Sequence, residues 1–282
     1  MPELPEVETV ARALRNGTPA GAPPLVGRVI RSVEVLWPRQ LGNLTPRAFR
    51  RRIAGTRVQS IGRHGKYLLI GLTSPAAGEG DAPLTLLVHL KMSGRLDVVP
   101  CDQAFTPHAR LVWLLDDDLA LRFDDARKFG RAWLVGNPAS VIGNLGPDAL
   151  HVPPDVFASR LRSRKGMLKP VLLDQSFLAG IGNIYADEAL HLARLHPRRA
   201  VTSLSDADVM RLHDAVQHVL LAGIAANGAS FDWVYPGGNF QESFKVYGRT
   251  GQPCPTCGRP VERILVAQRG THFCPACQPL AG

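Results

Sequence analysis

Four cysteines near the end of the chain stand at the spacing of a metal site. Cys254 and Cys257 form one Cys-x-x-Cys pair, Cys274 and Cys277 form a second, and sixteen residues separate the pairs. Each pair places two sulfurs on one side of a tight turn, and four thiolates close a tetrahedral zinc site. We therefore predict one structural zinc ion in a ribbon built on a hairpin. Disulfides or free thiols are the alternatives, but the odd fifth cysteine, Cys101, argues against a disulfide framework.

The second residue of the chain carries a different chemistry. Pro2 follows Met1, and a small second residue permits removal of the initiator methionine, which leaves a free proline amine. An α-amino group titrates near 7.7–8.0, so its neutral, nucleophilic fraction at pH 7 exceeds that of lysine by about two orders of magnitude. Attack on a sugar carbon gives an iminium electron sink, and the adjacent Glu3 can transfer protons. The alternative is structural: Pro2 and Pro5 stiffen the entry to a helix, and Glu3 is solvated.

The charge balance indicates a polyanionic partner. Lys and Arg number 33 against 24 Asp and Glu, a net charge of +9, and the sequence pI is about 9.8. Such a charge suits nucleic acid, although a basic protein with small acidic ligands is the alternative. One segment holds five cations and no acid, which also fits a solvated helix face: Arg160, Arg162, Arg164, Lys165 and Lys169.

Length and hydropathy narrow the class of protein further. With 282 residues, 45% of them hydrophobic and 20% charged, the chain is typical of a folded protein of about two domains. The longest apolar run, Val219 to Ala226, is far short of the roughly 18 residues of a membrane span. The N-terminus lacks the apolar core of a secretory signal. We expect a cytoplasmic protein with no membrane partner.

Three kinds of element must position these groups. Val7, Val10 and Leu14 recur at helical spacing after Pro5, which predicts a helix that ends at Asn16. Short apolar runs between turn residues then predict an antiparallel sandwich or barrel. These runs are Val29 to Val35, Val58 to Ile61, Tyr67 to Leu72, Leu84 to Leu90, Leu111 to Leu115, Leu119 to Phe123 and Ala132 to Val135.

From about Pro138 the pattern becomes helical. Ser205 can cap the last helix and Gly228 can end it. The predicted helices cover Phe157 to Leu161, Lys169 to Asp174, Ile184 to Ala193 and Asp206 to Ala226. Two segments rich in turn residues, Thr73 to Pro83 and Phe231 to Phe244, are predicted loops.

The two ends of the chain together resemble one enzyme family. The run from Pro2 to Thr9, PELPEVET, and the terminal four-cysteine ribbon are similar to those of the formamidopyrimidine-DNA glycosylases, bacterial enzymes that remove oxidised purines. Between the ends, five more motifs follow in the family's order. They are Gly65 to Leu69, His89 to Gly94, Arg127 to Gly130, Gly180 to Tyr185 and Val246 to Arg249.

The resemblance implies roles for residues at matching positions. It implies that mature Pro2 attacks C1′ of the damaged nucleotide and that Glu3 is the acid/base at the sugar ring. Lys66 matches a lysine that assists elimination and contacts phosphate, and a surface lysine is its alternative. Arg269 matches an arginine at the tip of the ribbon that grips phosphate and assists the second elimination, and a solvated arginine is its alternative.

The resemblance also implies a DNA interface. Met92, Arg127 and Phe129 match a wedge that fills the space left by an extruded base, although core packing is the alternative for Met92 and Phe129. His108 and Lys165 align with further DNA contacts. Asn183, in the turn before the second helix of a helix–two-turn–helix element, is placed to donate to phosphate, while its neighbouring glycines let backbone amides approach.

Together, the sequence patterns and the resemblance predict an α+β fold. It consists of an N-terminal helix, an antiparallel β-sandwich, a helical domain with a helix–two-turn–helix element and a zinc ribbon. We expect the divisions 1–136, 137–250 and 251–282. The implied protein is a monomeric, nucleoid-associated glycosylase and apurinic-site lyase that acts on damaged double-stranded DNA. An oxidised-pyrimidine glycosylase and a non-catalytic damaged-DNA binder or zinc-ribbon regulator are the alternatives.

Several positions depart from the family pattern. Ala126 precedes Arg127 where proline is frequent, Lys128 stands where arginine is common, and Lys91 replaces a frequent glycine. The predicted loop Phe231 to Phe244 matches poorly. These differences bear on which lesion is preferred and leave the expected reaction unchanged.

Overall fold

The computed structural model describes residues 1–73, 83–230 and 237–280. Residues 74–82 of the predicted loop Thr73 to Pro83 lie outside the described residues, as do residues 231–236 of the predicted loop Phe231 to Phe244. Within the described part of the chain, no helix is both long and apolar enough to cross a membrane.

The chain divides into two compact units. Their described residues are 1–2, 6–73 and 83–144 in the first unit, and 3–5, 145–230 and 237–280 in the second. Helix α1 (Leu4–Asn16) begins in the second unit and continues into the first. Its observed end at Asn16 agrees with the prediction from apolar spacing.

Two four-stranded antiparallel sheets form the first unit. One has the strand order β1-β6-β7-β5 and the other β2-β3-β4-β8. The strands are β1 (Ile30–Val35), β2 (Arg57–His64), β3 (Tyr67–Thr73), β4 (Leu84–His89), β5 (Gly94–Pro100), β6 (Ala109–Leu115), β7 (Leu119–Asp125) and β8 (Arg131–Val135). Short helices α2 (Pro46–Ile53) and α3 (Ala139–Ile142) complete the unit.

One apolar core joins the two sheets. Alternate residues such as Ile70 of one sheet and Phe123 of the other belong to a single buried cluster, together with Val7 and Leu14 of α1. Because alternate side chains of a strand point to opposite faces, this cluster is the interior of a sandwich. The predicted antiparallel sandwich is therefore confirmed.

Helices build the second unit, as the sequence predicted. They are α4 (Pro154–Arg162), α5 (Leu168–Leu173), α6 (Asn183–Leu192) and α7 (Asp206–Ala225). Ser205 caps α7 in a reciprocal arrangement with Asp208, and the chain leaves the helix through Gly228, whose φ is +81°. A two-stranded hairpin, β9 (Glu262–Val266) with β10 (Arg269–Phe273), forms the predicted ribbon.

Among the described residues, three helices or strands have no counterpart in the prediction from sequence, and the shortest of them is the four-residue helix α3. Strand β5 alternates Leu96 and Val98 with charged residues, so it contains no continuous apolar run by which to recognise it. Helix α2 is rich in arginine and buries only Phe49 and Ile53. In addition, a short 3-10 turn, Phe240–Ser243, lies within the predicted loop Phe231 to Phe244.

Candidate functional site

The carboxylate of Glu3 is held at the N-terminus of α6. Its Oε1 accepts the backbone N–H of Ile184 at 3.1 Å, and its Oε2 accepts that of Tyr185 at 3.4 Å. The neighbouring Leu4 N–H donates to the carbonyl of Gly180 at 3.1 Å. Amides at a helix N-terminus lack intrahelical partners and favour negative charge, so they orient this buried carboxylate. Glu3 is therefore a fixed group, which excludes the solvated alternative.

Gly182 makes room for that carboxylate. A Cβ at this position would lie 2.7 Å from Glu3 Oε2 and closer still to the carboxyl carbon. The backbone of Gly182 is extended, with φ −129°, so its geometry alone does not require glycine. The sequence predicts that these glycines let backbone amides approach phosphate; at the start of α6, the amides of Ile184 and Tyr185 bind Glu3.

Pro2 precedes this carboxylate directly in the chain. Its side chain is buried, while Met1 is exposed. The Pro2 nitrogen is linked to Met1 through an amide bond in this sequence. An amide nitrogen is not nucleophilic, so removal of Met1 is a chemical requirement for the predicted amine.

Asn183 links the start of α6 to the hairpin that carries Arg269. Asn183 is the first residue of α6, and its side-chain amide donates to the carbonyl of Gly270 at 3.0 Å. Arg269 is exposed and precedes Gly270 at the start of β10. The preceding residues Ala267 and Gln268 have φ of 46° and 61°, the geometry of a two-residue hairpin turn. Glu3 and Asn183 thus lie at one helix terminus, and Asn183 binds the residue that follows Arg269.

A buried ion pair, Lys169 with Asp187, binds the hairpin of the ribbon next to its turn. Lys169 Nζ lies 2.6 Å from Asp187 Oδ1, both side chains are fully buried, and the ammonium also donates to the carbonyl of Gly270 at 3.0 Å. Burial lowers the pKa of Lys169, and Asp187 opposes that shift. The sequence grouped Lys169 with a basic run on a surface, so this expectation is corrected: Lys169 is an interior cation that anchors the ribbon.

The rest of the basic run has mixed roles. Arg162 pairs with Asp206, and Arg164 pairs with Asp174 at 2.9 Å. Arg160 donates to two backbone carbonyls, whereas Lys165 is exposed. Lys165 is therefore the member of the run best placed for a phosphate contact.

The four cysteine sulfurs fit one tetrahedral zinc ion. All four lie within 4.8 Å of one another, with Cys254 to Cys277 at 3.9 Å and Cys257 to Cys274 at 3.4 Å. Zinc–sulfur bonds of about 2.3 Å in a tetrahedron place sulfurs about 3.8 Å apart. Although burial opposes it, hydrogen bonds from the Thr256 backbone and from His191 lower the pKa of Cys254 to about 6. These cysteines hold one structural zinc ion, as predicted.

Lys66 lies in a tight turn of the first unit. Gly65 and Lys66 are the two turn residues between β2 and β3, where Gly65 has φ +56°, and the Lys66 side chain is buried. Burial and the charges of Lys91 and Lys66 lower the pKa of His89 to about 3. His89 is therefore neutral near pH 7, and its Nδ1 accepts the Lys91 N–H at 2.9 Å. A surface position for Lys66 is excluded.

Met92, Arg127 and Phe129 lie on exposed loops of the first unit. Met92 is 39% exposed and Phe129 is 50% exposed, which excludes the core-packing alternative for both. The Arg127 guanidinium lies 5.1 Å from the centre of the Phe129 ring. His108 is also exposed, just before β6. Exposed apolar and aromatic groups beside an arginine are suited to insertion into stacked bases.

Several residues that support these groups were not recognised in the sequence. Glu188 accepts the backbone N–H groups of Lys245, Val246 and Tyr247 at 2.8–3.0 Å, so it fixes the motif that begins at Val246. Asp187 and Glu188 are adjacent acids in a helix that is otherwise almost wholly apolar and buried. Two acids in such an apolar helix are the one feature of the sequence that indicates buried, hydrogen-bonded carboxylates.

Comparison with known protein families agrees with the observed arrangement of an N-terminal sandwich, a helical part and a zinc ribbon. Three family models match: the formamidopyrimidine-DNA glycosylase N-terminal domain at residues 1–132, the formamidopyrimidine-DNA glycosylase H2TH domain at 145–233, and a zinc finger found in FPG and IleRS at 251–280. The fold and these sites define a zinc-finger DNA glycosylase of DNA repair.

Similar proteins specify the family. Formamidopyrimidine-DNA glycosylase from Chloroflexus aggregans is 45% identical over 99% of both chains, and that from Symbiobacterium thermophilum is 43% identical over 99% of this chain and 90% of its own. A solved Lactococcus lactis FPG complexed with FAPY-dG-containing DNA has a TM-score of 0.86 and 34% identity, covering 98% of this chain and 100% of that one. The chain belongs to the formamidopyrimidine-DNA glycosylase family.

Proposed function

We propose that this protein is a bifunctional glycosylase and apurinic-site lyase that excises oxidised purines from double-stranded DNA. The observation that carries the proposal is the Glu3 carboxylate, buried and oriented by the Ile184 and Tyr185 amides directly after Pro2. The matching family models and the relatives named formamidopyrimidine-DNA glycosylase support the substrate class. 8-Oxoguanine and formamidopyrimidines are the proposed lesions.

The proposed first stage uses Pro2 and Glu3. After removal of Met1, the Pro2 nitrogen attacks C1′, the glycosidic bond breaks, and the base leaves with the bonding electrons and takes up a proton. The Glu3 carboxylate accepts the proton that the Pro2 nitrogen loses and delivers it to O4′ as the C1′–O4′ bond breaks, and a Pro2 iminium remains. A secondary amine gives an iminium that carries its charge without an N–H, so it withdraws electrons at any pH.

The proposed second stage cuts the strand twice. Loss of a proton from C2′ expels the 3′ phosphate, and loss of a proton from C4′ then expels the 5′ phosphate, because the iminium accepts the electron pair in each step. Lys66 assists elimination and contacts phosphate in this proposal. Exposed Arg269 binds phosphate and assists the second elimination, and Asn183, which donates to the carbonyl of the next residue, Gly270, adds a second donor to phosphate.

The first prediction identifies the nucleophile. Incubation with an 8-oxoguanine duplex and borohydride is expected to reduce the iminium and leave the DNA on the peptide that begins with Pro2, because that amine is the most nucleophilic at neutral pH. Mass spectrometry of the trapped peptide locates the adduct. The matched control is the same chain with an uncleaved N-terminal extension, which keeps Pro2 in an amide and should not be trapped. An adduct on a lysine would contradict the assignment.

The same experiment separates the alternatives. A non-catalytic damaged-DNA binder would bind the duplex without any trapped adduct. A Lactococcus lactis FPG has also been solved with DNA that contains an oxidised pyrimidine, so a duplex with an oxidised pyrimidine is the appropriate competitor. We expect faster excision from the 8-oxoguanine duplex than from that competitor.

We propose that damaged duplex DNA contacts Met92, His108, Arg127, Phe129, Lys165 and Asn183. A solved relative is complexed with abasic-site DNA at a TM-score of 0.85 and 34% identity. We further propose that one chain acts as a monomer. Because the relatives are bacterial, the chromosome that it repairs lies in the cytoplasm, at the nucleoid. The division 1–136, 137–250 and 251–282 remains our proposal for its functional parts.

The second prediction concerns Lys165. If about five or six phosphates are neutralised, log affinity should fall with log salt at a slope of about −5. Lys165→Ala should weaken damaged and undamaged duplex alike and make the slope less steep by about one, since a phosphate contact carries no base identity. Fluorescence anisotropy over a salt series measures both duplexes.

The control for Lys165 is another exposed cation. Arg51→Ala removes one charge from α2 and should leave the slope as it is. An unchanged slope for Lys165→Ala would make Lys165 part of a solvated surface. A changed lesion preference would assign it to base recognition instead.

A further inference from the structure

The carboxylate of Asp125 collects hydrogen bonds from three segments of the first unit. Asp125 is the last residue of β7 and its side chain is fully buried. Its Oδ1 accepts the hydroxyl of Ser93 at 2.5 Å, and its Oδ2 accepts the Gly130 N–H at 2.7 Å and the Gln40 side-chain amide at 3.1 Å. A buried carboxylate with several donors holds those donors in a fixed arrangement.

Each exposed wedge residue adjoins this network. Met92 directly precedes Ser93, and Phe129 directly precedes Gly130. The backbone N–H of Arg127 donates to the Ser93 hydroxyl at 3.0 Å, so the same hydroxyl joins Arg127 to Asp125. One interior carboxylate therefore links the loop of Met92 with the loop of Arg127 and Phe129.

Close packing leaves little freedom around these hydrogen bonds. A Cβ on Gly130 would lie 3.0 Å from Asp125 Oδ2, 2.8 Å from Gln40 Nε2 and 2.5 Å from the Phe123 ring. Asp125 also acts through its backbone, because its N–H donates to the carbonyl of His108 at 2.8 Å. Asp125, which lies directly before the loop of Arg127 and Phe129, is thus fixed by side-chain and main-chain contacts together.

We propose that Asp125 is a positioning residue that holds Met92, Arg127 and Phe129 in the arrangement that extrudes the damaged base. This inference rests on the proposed function, in which these three side chains enter the duplex. Extrusion of a base from the stack costs free energy. If the wedge loops are already ordered before binding, less binding free energy is lost in ordering them, and more remains to extrude the base. Asp125 itself contacts loops and not DNA in this proposal.

The test uses two variants that disturb the network differently. Asp125→Asn keeps the side-chain size but replaces one acceptor oxygen with a donor, and Ser93→Ala removes the hydroxyl between Arg127 and Asp125. Single-turnover excision of 8-oxoguanine from duplex should fall about tenfold in each variant. Strand cleavage at a preformed abasic site, which has no base to extrude, should stay within about threefold of the unchanged chain.

Two further readouts separate positioning from general destabilisation. A 2-aminopurine placed beside the lesion should lose most of its fluorescence rise on binding, because the wedge no longer unstacks it. A lesion in an unpaired bulge should restore excision to within about threefold. Asp97→Asn is the matched control, since Asp97 lies in β5 of the same sheet and binds the exposed Arg95 at 2.5 Å.

The outcomes distinguish this inference from the proposed function. Arg127→Ala serves as the reference for a lost wedge and should reduce duplex excision more than abasic-site cleavage. If it does so while Asp125→Asn and Ser93→Ala excise normally, the positioning role is overturned and the wedge remains. Equal loss on both substrates in the network variants also overturns the role. If Arg127→Ala excises normally, the wedge of the proposed function is wrong, and this inference is wrong with it.

Discussion

Gly182→Ala is expected to reduce both 8-oxoguanine excision and abasic-site cleavage by about 100-fold, the lower end of the usual contribution of a general acid or base. The new Cβ would lie 2.7 Å from Glu3 Oε2 and closer to the carboxyl carbon, so the carboxylate must leave its place. It would then lose the Ile184 and Tyr185 amides that orient it. Single-turnover assays on both substrates measure the effect.

The control for Gly182 is a glycine with open surroundings. Gly136→Ala introduces a Cβ with no neighbour within 4 Å and should retain full activity. Glu3→Gln should match Gly182→Ala in rate, because both remove a correctly placed carboxylate that can accept and deliver a proton. Thermal unfolding checks that the variants are folded. Activity of Gly182→Ala within threefold of the unchanged chain would show that the position of Glu3 does not matter to the reaction.

Loss of zinc is expected to weaken duplex binding at least tenfold. The ribbon has a small core, in which Val246 and Val261 pack against Cys254 and Cys274, and structural zinc supplies about 10–16 kcal/mol of apparent binding free energy in comparable peptides. Without the metal the hairpin that carries Arg269 should unfold. Cys254→Ser should therefore lose zinc and affinity together.

Two measurements test this coupling. Elemental analysis should find about one zinc per unchanged chain and much less in Cys254→Ser, and anisotropy should report the affinity of each for the same duplex. Cys101→Ser is the matched control, because Cys101 is exposed and lies outside the ribbon, and it should keep both zinc and affinity. A Cys254→Ser chain that lacks zinc but binds normally would show that the ribbon contributes nothing to DNA binding.

The Lys169 network explains why metal loss should extend beyond the ribbon. In the intact protein the Lys169 ammonium donates to the carbonyl of Gly270 and to the hydroxyl of Thr271 at 2.9 Å. Asp187 accepts the backbone N–H of His272 at 2.9 Å. Unfolding of β10 removes these partners and leaves a buried ion pair incompletely satisfied, which is costly. The N-terminus of α6 should therefore be disturbed as well.

Local spacing alone determined several parts of this protein. The two Cys-x-x-Cys pairs specify a zinc site because the two ligands of each pair are three residues apart, which a single turn brings together. The apolar period of α1 and the cap at Ser205 likewise depend on neighbours within one or two helical turns. Such features are readable because the interacting residues are close in sequence.

Only the tertiary structure shows which polar groups are buried and hydrogen-bonded at the candidate site. Glu3 meets the amide of Ile184 across 181 positions, and Lys169 meets the carbonyl of Gly270 across 101. No periodicity connects residues so distant, and a lysine in a basic run has the same local sequence whether it is exposed or buried. Asp125 is a similar case. Its hydrogen-bond donors Ser93, Gly130 and Gln40 belong to three separate segments, which come together only when the two sheets have formed. Burial and the hydrogen bonds that offset its cost are properties of the folded chain, since each requires partners from other elements.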